Sequence, residues 1–151
     1  MTEHEYMPTI EWTGTTAGGY RSFSREHAAT LTATQDLAVS ADAAFRGDAE
    51  LTNPEQLLVL AASSCQMLSF LGAAARASVD VVSYVDAARG AMPLGPDPVA
   101  ITEIELRPVI RVRGARVEDV VPLVHQAHQH CYIANSLRSE VRVDPTIEVI
   151  P

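Results

Sequence analysis

The chain contains no lysine. Its 151 residues carry 11 basic side chains, all arginine, against 19 aspartates and glutamates, for a formal net charge of -8 at pH 7. A surface with this excess of negative charge repels the phosphates of nucleic acids and of anionic membranes. We therefore expect neither a nucleic acid nor a membrane to be a partner of this protein.

The N-terminal residues 1–12 lack both the basic stretch and the apolar core of a secretory signal, so we expect a cytoplasmic location. Cysteine is also scarce, with Cys65 and Cys131 as the two thiols. A chain of this length buries enough surface to fold without a disulfide, and the cytoplasm keeps structural thiols reduced. Two cysteines in such a chain favour catalysis or redox sensing over a structural disulfide.

One apolar run, residues 57–77, is long enough to raise the question of a membrane span. Alanine supplies much of its apolar character, and apolar or small side chains lie on nearly every face of the helix that it predicts. A helix buried at the centre of the fold or of a dimer explains this pattern better. Five polar residues interrupt the run: Ser63, Ser64, Gln66, Ser69 and Arg76.

The start of this helix has a recognisable signal. Thr52 or Asn53 can cap it, Pro54 suits the first helical position, and Glu55 and Gln56 favour the positive end of the helix dipole. We predict that the helix begins there and continues to about residue 78.

The rest of the chain has no repeat and no linker, which predicts a single α+β domain over residues 1–151. Short runs of β-branched and aromatic residues predict strands, and apolar residues at helical spacing predict helices. The first part of the chain is predicted to form an antiparallel meander (strands at 9–13 and 20–34, with a turn at Gly18-Gly19) and a loop at 42–51. After the first helix we predict strands at 79–92, 99–113 and 140–149, a helix at 117–131 and a helical piece at 134–138. A helix at 117–131 can contain Pro122 only if the proline lies near its start.

The two cysteines differ in their sequence surroundings. Cys65 sits in an apolar helix, where a cysteine is more often a packing residue than a reactive one. Cys131 ends a helix among polar residues, where a thiolate finds water and hydrogen-bond donors. A peroxidatic thiol needs a nearby cation or several donors, and its sulfenic acid is best resolved by a second thiol within disulfide reach. Two cysteines on different helices could meet that need.

A metal site is the competing interpretation of the second cysteine. His125, His128 and Cys131 recur at every third residue, as ligands of a zinc ion could. The series drifts by about 60° per step around a helix, however, and no fourth ligand is evident nearby. We expect these histidines to be solvent-facing helix residues and predict no metal.

Two separated motifs resemble those of a known family. Residues 53–58 (NPEQLL) and 61–65 (AASSC) are similar to the first-cysteine helix of the OsmC/Ohr hydroperoxide reductases, and residues 127–137 (AHQHCYIANSL) to their second-cysteine motif. The order of the elements around the motifs also fits, so the likeness covers nearly the whole chain. The resemblance implies an OsmC-like fold, with antiparallel sheets wrapped around long central helices in an intertwined homodimer.

The same resemblance implies a thiol-dependent peroxidase of oxidative stress defence that reduces organic hydroperoxides to alcohols without haem or another cofactor. It assigns Cys65 as the peroxidatic thiol, Cys131 as the resolving thiol and Glu55 as the carboxylate that orients an activating arginine. The reductant would be a lipoylated protein or another dithiol.

The resemblance does not fix the arginine. Arg21 and Arg25 follow Gly18-Gly19, where Ohr members carry a Gly-Gly-Arg stretch, while Arg46 is similar to a loop arginine of OsmC-type members. We favour Arg25, because it adjoins His27 and begins a strand-like segment.

Glu55 and Cys65 are ten residues apart on one predicted helix, which separates them by about 15 Å. Two such helices packed antiparallel could place Glu55 of one chain beside Cys65 of the other, and we therefore predict an active site shared between subunits.

The alternative function is a non-catalytic OsmC-like module that binds an apolar ligand or senses redox state at the dimer interface. Gln66, which follows the first cysteine, is compatible with this alternative.

Overall fold

In the computed structural model, which describes residues 2–151, the chain divides into two units, residues 1–57 and 58–151. Their strands and helices confirm the predicted α+β class. The single-domain interpretation of residues 1–151 stays a prediction.

The first unit contains the predicted antiparallel meander. Its strands are β1 (Thr9–Glu11), β2 (His27–Thr32) and β3 (Gln35–Val39), in the order β1-β2-β3. The second strand was predicted from Tyr20 but begins at His27. The residues before it form a loop of their own, in which the Trp12 indole donates to the Ser24 carbonyl over 2.8 Å and the Gly19 amide donates to the Thr16 carbonyl. The Gly18-Gly19 turn therefore lies inside the β1–β2 connection.

The loop predicted at residues 42–51 contains a single 3-10 turn, Ala43–Phe45. The Ser40 amide donates to the Thr52 carbonyl over 2.8 Å, and the Ser40 hydroxyl accepts from the Asp48 amide over 3.0 Å, so both ends of the loop are tied together. Gly47 passes so close to Ala41 that a Cβ there would lie 1.6 Å from the Ala41 carbonyl oxygen. Only glycine fits this position.

The first helix, α1 (Pro54–Arg76), begins where the sequence predicts. Of the two candidate caps, Asn53 takes the role. Its side-chain oxygen accepts from the Gln56 amide over 2.8 Å, and the Gln56 side-chain oxygen accepts from the Asn53 amide over 3.1 Å. This reciprocal pair is a capping box, which satisfies two amides that the helix itself cannot.

In the described chain α1 is buried on one face rather than on all of them. The buried residues of that face are spaced four positions apart: Ala62, Gln66, Phe70 and Ala74. Leu60 and Leu68, on other faces, are each 62% exposed. By length and composition alone this helix could cross a membrane. The exposed leucines are equally what a helix would carry if it packed against a second subunit.

The second unit contains two three-stranded sheets. One has the order β4-β7-β9 and the other β5-β6-β8, and in each an antiparallel pair is followed by a parallel pair. The strands are β4 (Asp80–Asp86), β5 (Arg89–Ala91), β6 (Glu103–Leu106), β7 (Pro108–Arg113), β8 (Glu140–Val143) and β9 (Thr146–Ile150).

The predictions of single strands at 79–92, 99–113 and 140–149 were therefore wrong, because each segment breaks in the middle and contributes one strand to each sheet. Two features of the structure explain the breaks. The Asp86 carboxylate accepts the Arg107 amide over 2.7 Å, in place of a backbone partner. Pro108 and Pro145 have no amide hydrogen to give to a continuous ladder.

The remaining helices are α2 (Val117–Gln129) and α3 (Tyr132–Ser136), close to their predicted ranges. Pro122 is exposed and lies in the second turn of α2, one turn later than a position at the helix start would require. The main core of this unit lies between α1, α2 and the β4-β7-β9 sheet. Its fully buried members are Phe70, Ala74, Ile110, Val112, Val120, Val124 and Ala127.

Replacement of the helix cap tests this account of how α1 begins. We expect Asn53→Ala to lower the free energy of unfolding by about 1 kcal/mol, measured by urea unfolding at fixed protein concentration. Asn53→Asp keeps an oxygen that can accept from the Gln56 amide and should remain near the wild-type value. Equal destabilisation by both variants would contradict the capping role.

Candidate functional site

Cys131 lies between two helices of the second unit. It follows α2, precedes α3 and is completely buried. The Asn135 amide and side chain both donate to the Cys131 carbonyl, over 3.0 and 2.9 Å. These bonds hold the start of α3 against the backbone of the cysteine.

Cys65 is the neighbour of Cys131. It lies on α1, is partly exposed, and is a free thiol like its partner. The two side chains are close enough for Cys65 to raise the pKa of Cys131. The structure thus brings together, within one unit, two thiols that are 66 positions apart in the sequence.

The environment of Cys131 makes it a weak acid. Burial raises the pKa of its thiol, and the adjacent Cys65 raises it further. The amides of Ala134 and Ile133 act in the opposite direction, although the sulfur makes no capping hydrogen bond of ordinary geometry. At neutral pH Cys131 is therefore held mainly as a thiol.

Gln66 orients the helix that carries Cys65. Its side chain is completely buried, and its amide nitrogen donates to the Val124 carbonyl of α2 over 3.1 Å. Its side-chain oxygen has no partner among residues 2–151. Sequence reasoning treated Gln66 only as a residue that left room for another function. The signal that could have identified it is a polar residue on the buried stripe of α1, four positions before Phe70.

Asp86 connects α1 to the break in the sheets. One carboxylate oxygen accepts from the Arg107 amide, and the other accepts from the Ser63 hydroxyl, two residues before Cys65. Tyr84, on the same strand and facing the same interior, has a buried hydroxyl without a partner in the described part of the chain. Neither Asp86 nor Tyr84 could be identified from the sequence, because nothing there reveals that β4 ends beside the cysteines.

Glu55 and Arg25 line one cavity in the first unit. This cavity has a volume of about 180 Å³, and one oxygen of Glu55 is buried without a hydrogen-bond partner among residues 2–151. Arg25 does not pair with it. Its guanidinium donates to the carbonyls of Tyr20 and Phe23 and lies over the Phe23 ring, 3.8 Å from the centroid. The predicted pair of Arg25 with Glu55 is therefore not formed within this unit and stays a prediction.

A second cavity adjoins Arg25 on its other side. It has a volume of about 300 Å³ and shares Arg25 and His27 with the first. Its walls are largely apolar, with Ile10, Trp12 and Phe23 contributing. The guanidinium thus lies between an apolar cavity and one that contains a carboxylate.

The other candidate arginines are placed differently. Arg21 is exposed in the β1–β2 connection, and Arg46 is exposed at the end of the 3-10 turn, with a left-handed φ of 67°. Within residues 2–151, neither side chain makes a hydrogen bond or an ion pair, and neither lines the cavity that contains Glu55. Arg25 is the candidate that shares a cavity with Glu55.

The histidines near Cys131 do not form a metal centre in the described residues. His125 is exposed on α2, whereas one ring nitrogen of His128 is buried without a partner in the part of the chain that is described. No group of three or more His, Cys, Asp or Glu side chains within residues 2–151 is arranged to hold a metal ion.

Comparison with known proteins gives a consistent result. A structure of an OsmC-like protein of unknown function from Vibrio cholerae is 28% identical to this chain, with a TM-score of 0.84, and the match covers 98% of this chain and 100% of that one. An organic hydroperoxide resistance protein from Legionella pneumophila is 18% identical, with a TM-score of 0.69, and the match covers 97% of this chain and 100% of the other.

A further organic hydroperoxide resistance protein, from Elizabethkingia anophelis, is 18% identical, with a TM-score of 0.68, and the match covers 99% of this chain and 100% of that one. At this identity the last two likenesses show the fold alone. No curated protein sequence matches the chain significantly. The family model described as "OsmC-like protein" matches residues 47–146, which include both cysteines and Glu55, and the chain therefore belongs to the OsmC-like protein family.

Proposed function

We propose that the protein is a cytoplasmic thiol-dependent peroxidase that reduces organic hydroperoxides to alcohols. The observation that carries this proposal is the proximity of Cys65 and Cys131, two free thiols from separate elements of the second unit. Membership of the OsmC-like family and the structural likeness to organic hydroperoxide resistance proteins support it. A pair of adjacent thiols is what a two-cysteine peroxidase needs to resolve its own oxidation product.

The difference in burial assigns the two roles. Cys65 is partly exposed and can meet a substrate, whereas Cys131 is completely buried. The Cys65 thiolate attacks one peroxide oxygen, the O–O bond breaks, and the alcohol leaves with a proton while Cys65 becomes a sulfenic acid. The Cys131 thiolate then attacks the Cys65 sulfur, a disulfide forms and water is released. An external dithiol, such as a lipoylated protein, reduces the disulfide.

Arg25 and Glu55 are the proposed activating pair. A guanidinium close to Cys65 stabilises its thiolate, and a carboxylate can orient that guanidinium through a charge-assisted pair. The unpartnered Glu55 oxygen in the cavity that Arg25 also lines supports this assignment. Because Glu55 and Cys65 are ten residues apart on α1, we propose that Glu55 of the partner subunit serves Cys65 in a homodimer.

Cysteine replacement tests the chemistry. With one equivalent of cumene hydroperoxide, the reduced wild type should lose both free thiols rapidly, because a disulfide forms between them. Cys65→Ser should consume no peroxide. Cys131→Ser should turn over once and then over-oxidise, since its sulfenic acid has no resolving thiol. Thiol titration and intact mass measure these outcomes, and repeated turnover by Cys65→Ser would refute the mechanism.

Mixed dimers test whether the site is shared. Equal amounts of Glu55→Ala and Cys65→Ser chains, dissociated and reassociated together, should regain about a quarter of the wild-type activity, because half of the dimers are mixed and each has one intact site. Peroxide consumption measures this directly.

The matched control mixes Cys65→Ser with Cys131→Ser. Both cysteines of a site come from one chain in the structure, so this mixture should show no turnover beyond the single oxidation of the Cys131→Ser chains. A site confined to one subunit would leave the first mixture no more active than its two parents.

A non-catalytic module that binds an apolar ligand is the second candidate function. The apolar cavity of about 300 Å³ in the first unit favours it, as does the absence of a formed Arg25–Glu55 pair. The thiol titration separates the two functions, because a binding module would retain both thiols on the time scale of the peroxide reaction.

A further inference from the structure

The Asn135 side chain bridges the junction between α2 and α3. Its amide nitrogen donates to the Gln129 carbonyl over 3.0 Å and to the Cys131 carbonyl over 2.9 Å. The Asn135 backbone amide also donates to the Cys131 carbonyl, over 3.0 Å. This one residue of α3 therefore binds, through both its side chain and its backbone, the segment that contains the buried cysteine.

The bond to Gln129 closes the end of α2. Gln129 is the last residue of that helix, so its carbonyl is one of the four that have no partner within the helix. The Asn135 side chain supplies that partner from the next helix. The His128 carbonyl, one residue earlier, accepts instead from the Cys131 amide over 3.2 Å. Both helices are thus joined to the backbone of Cys131 by hydrogen bonds.

The segment that these bonds hold is short. Cys131 has an extended conformation between the two helices, with a φ of -70° and a ψ of 112°, and α3 has only five residues. A helix of that length is not stable by itself. Apolar packing of Ile133 and Leu137 fastens α3 to the core, whereas the hydrogen bonds of Asn135 act on the backbone of the junction itself. They offset the cost of holding this backbone in one conformation.

Asn135 is exposed, unlike the cysteine that it binds. Within residues 2–151 its side chain makes no hydrogen bond besides those to Gln129 and Cys131. Replacement of an exposed side chain leaves the packing of the core intact. The contribution of Asn135 to the position of Cys131 can therefore be measured separately from the stability of the fold.

We propose that Asn135 is a positioning residue for the resolving thiol. By holding the junction in one conformation it keeps Cys131 within reach of Cys65, and so raises the effective concentration of one thiol toward the other. The inference rests on the proposed function for its role in turnover. In that step the Cys131 thiolate forms a bond to the Cys65 sulfur, the S–OH bond breaks, and the hydroxide leaves as water after taking a proton from solvent. Asn135 neither gains nor loses a proton.

The direct test measures the disulfide equilibrium without any peroxide. Wild type and Asn135→Ala are each equilibrated with mixtures of oxidised and reduced dithiothreitol, in which oxidised dithiothreitol takes two electrons and two protons from the thiols as the Cys65–Cys131 disulfide forms. Acid quenching, alkylation and intact mass give the disulfide fraction. Asn135→Ala should lower the equilibrium constant about tenfold, because formation of the disulfide must then order backbone that Asn135 otherwise holds.

Ser136→Ala is the matched control. The Ser136 hydroxyl donates to the Tyr132 carbonyl over 2.7 Å, so this variant also removes a side-chain hydrogen bond from α3, but one that does not reach Cys131. Its equilibrium constant should stay within about twofold of the wild-type value, as for most surface substitutions. An equal loss in Ser136→Ala and Asn135→Ala would overturn the specific role of Asn135.

Asn135→Asp guards against a packing defect in Asn135→Ala. Aspartate has the same shape, but its carboxylate has no hydrogen to donate to the two carbonyl oxygens. It should lower the equilibrium constant at least as much as alanine does. An unchanged equilibrium constant in folded Asn135→Ala and Asn135→Asp would overturn the proposal, as would a wild type that forms no Cys65–Cys131 disulfide in oxidised dithiothreitol.

Kinetics then test the role in turnover. After Cys65 reacts with cumene hydroperoxide, its sulfenic acid either forms the disulfide or is over-oxidised by a second peroxide. Asn135→Ala should leave the first oxidation unchanged and be over-oxidised at about one-tenth of the peroxide concentration that the wild type requires. If Cys65 fails to react in every protein, the proposed peroxidase function is wrong, while the dithiothreitol equilibrium still decides the role of Asn135. Over-oxidation of variant and wild type at the same peroxide concentration would contradict the role in turnover.

Discussion

The packing of one face of α1 determines the arrangement of the second unit. Phe70 fills the core between α2 and the β4-β7-β9 sheet, and Gln66, one turn earlier, donates to the Val124 carbonyl of α2. A buried amide that must reach one particular carbonyl permits a single rotation of the helix. Cys65 precedes Gln66 and so lies about 100° around the helix from it. That setting leaves Cys65 partly exposed while it lies near Cys131.

The break between the strands of the two sheets also helps to position α1. Asp86 occupies the place where a continuous strand would have placed a backbone carbonyl, and it accepts from the Arg107 amide and the Ser63 hydroxyl. The Asp86 carboxylate therefore links the end of β4 to the turn of α1 that precedes Cys65. The Asp86 hydrogen bonds that interrupt the ladder also fix the end of β4 against α1.

The sequence was most informative where local chemistry decides the structure. Asn53, Pro54 and Gln56 specify the start of α1 through hydrogen bonds that span three residues, and that start was predicted correctly. The α+β class followed from the periodicity of apolar residues, and the family followed from two motifs whose spacing is recognisable.

Features that depend on distant partners escaped prediction. The strand breaks at Arg107 and after Asp144 are invisible to periodicity, because alternation continues through them, and the carboxylate that satisfies Arg107 lies 21 positions away. The same limit applies to the site. The cysteines could be selected from the sequence, but the buried contacts of Gln66, Tyr84 and Asp86 are tertiary, and the resting position of Arg25 over Phe23 depends on the fold of a loop.

The unequal burial of the two cysteines would also decide which sulfur a reductant attacks if they formed a disulfide. An incoming thiolate must approach a disulfide along the S–S axis, and it attacks the sulfur that it can reach. With Cys131 enclosed between α2 and α3, that sulfur is the one on Cys65. A reductant would then be joined transiently to Cys65, and Cys131 would depart as the leaving group.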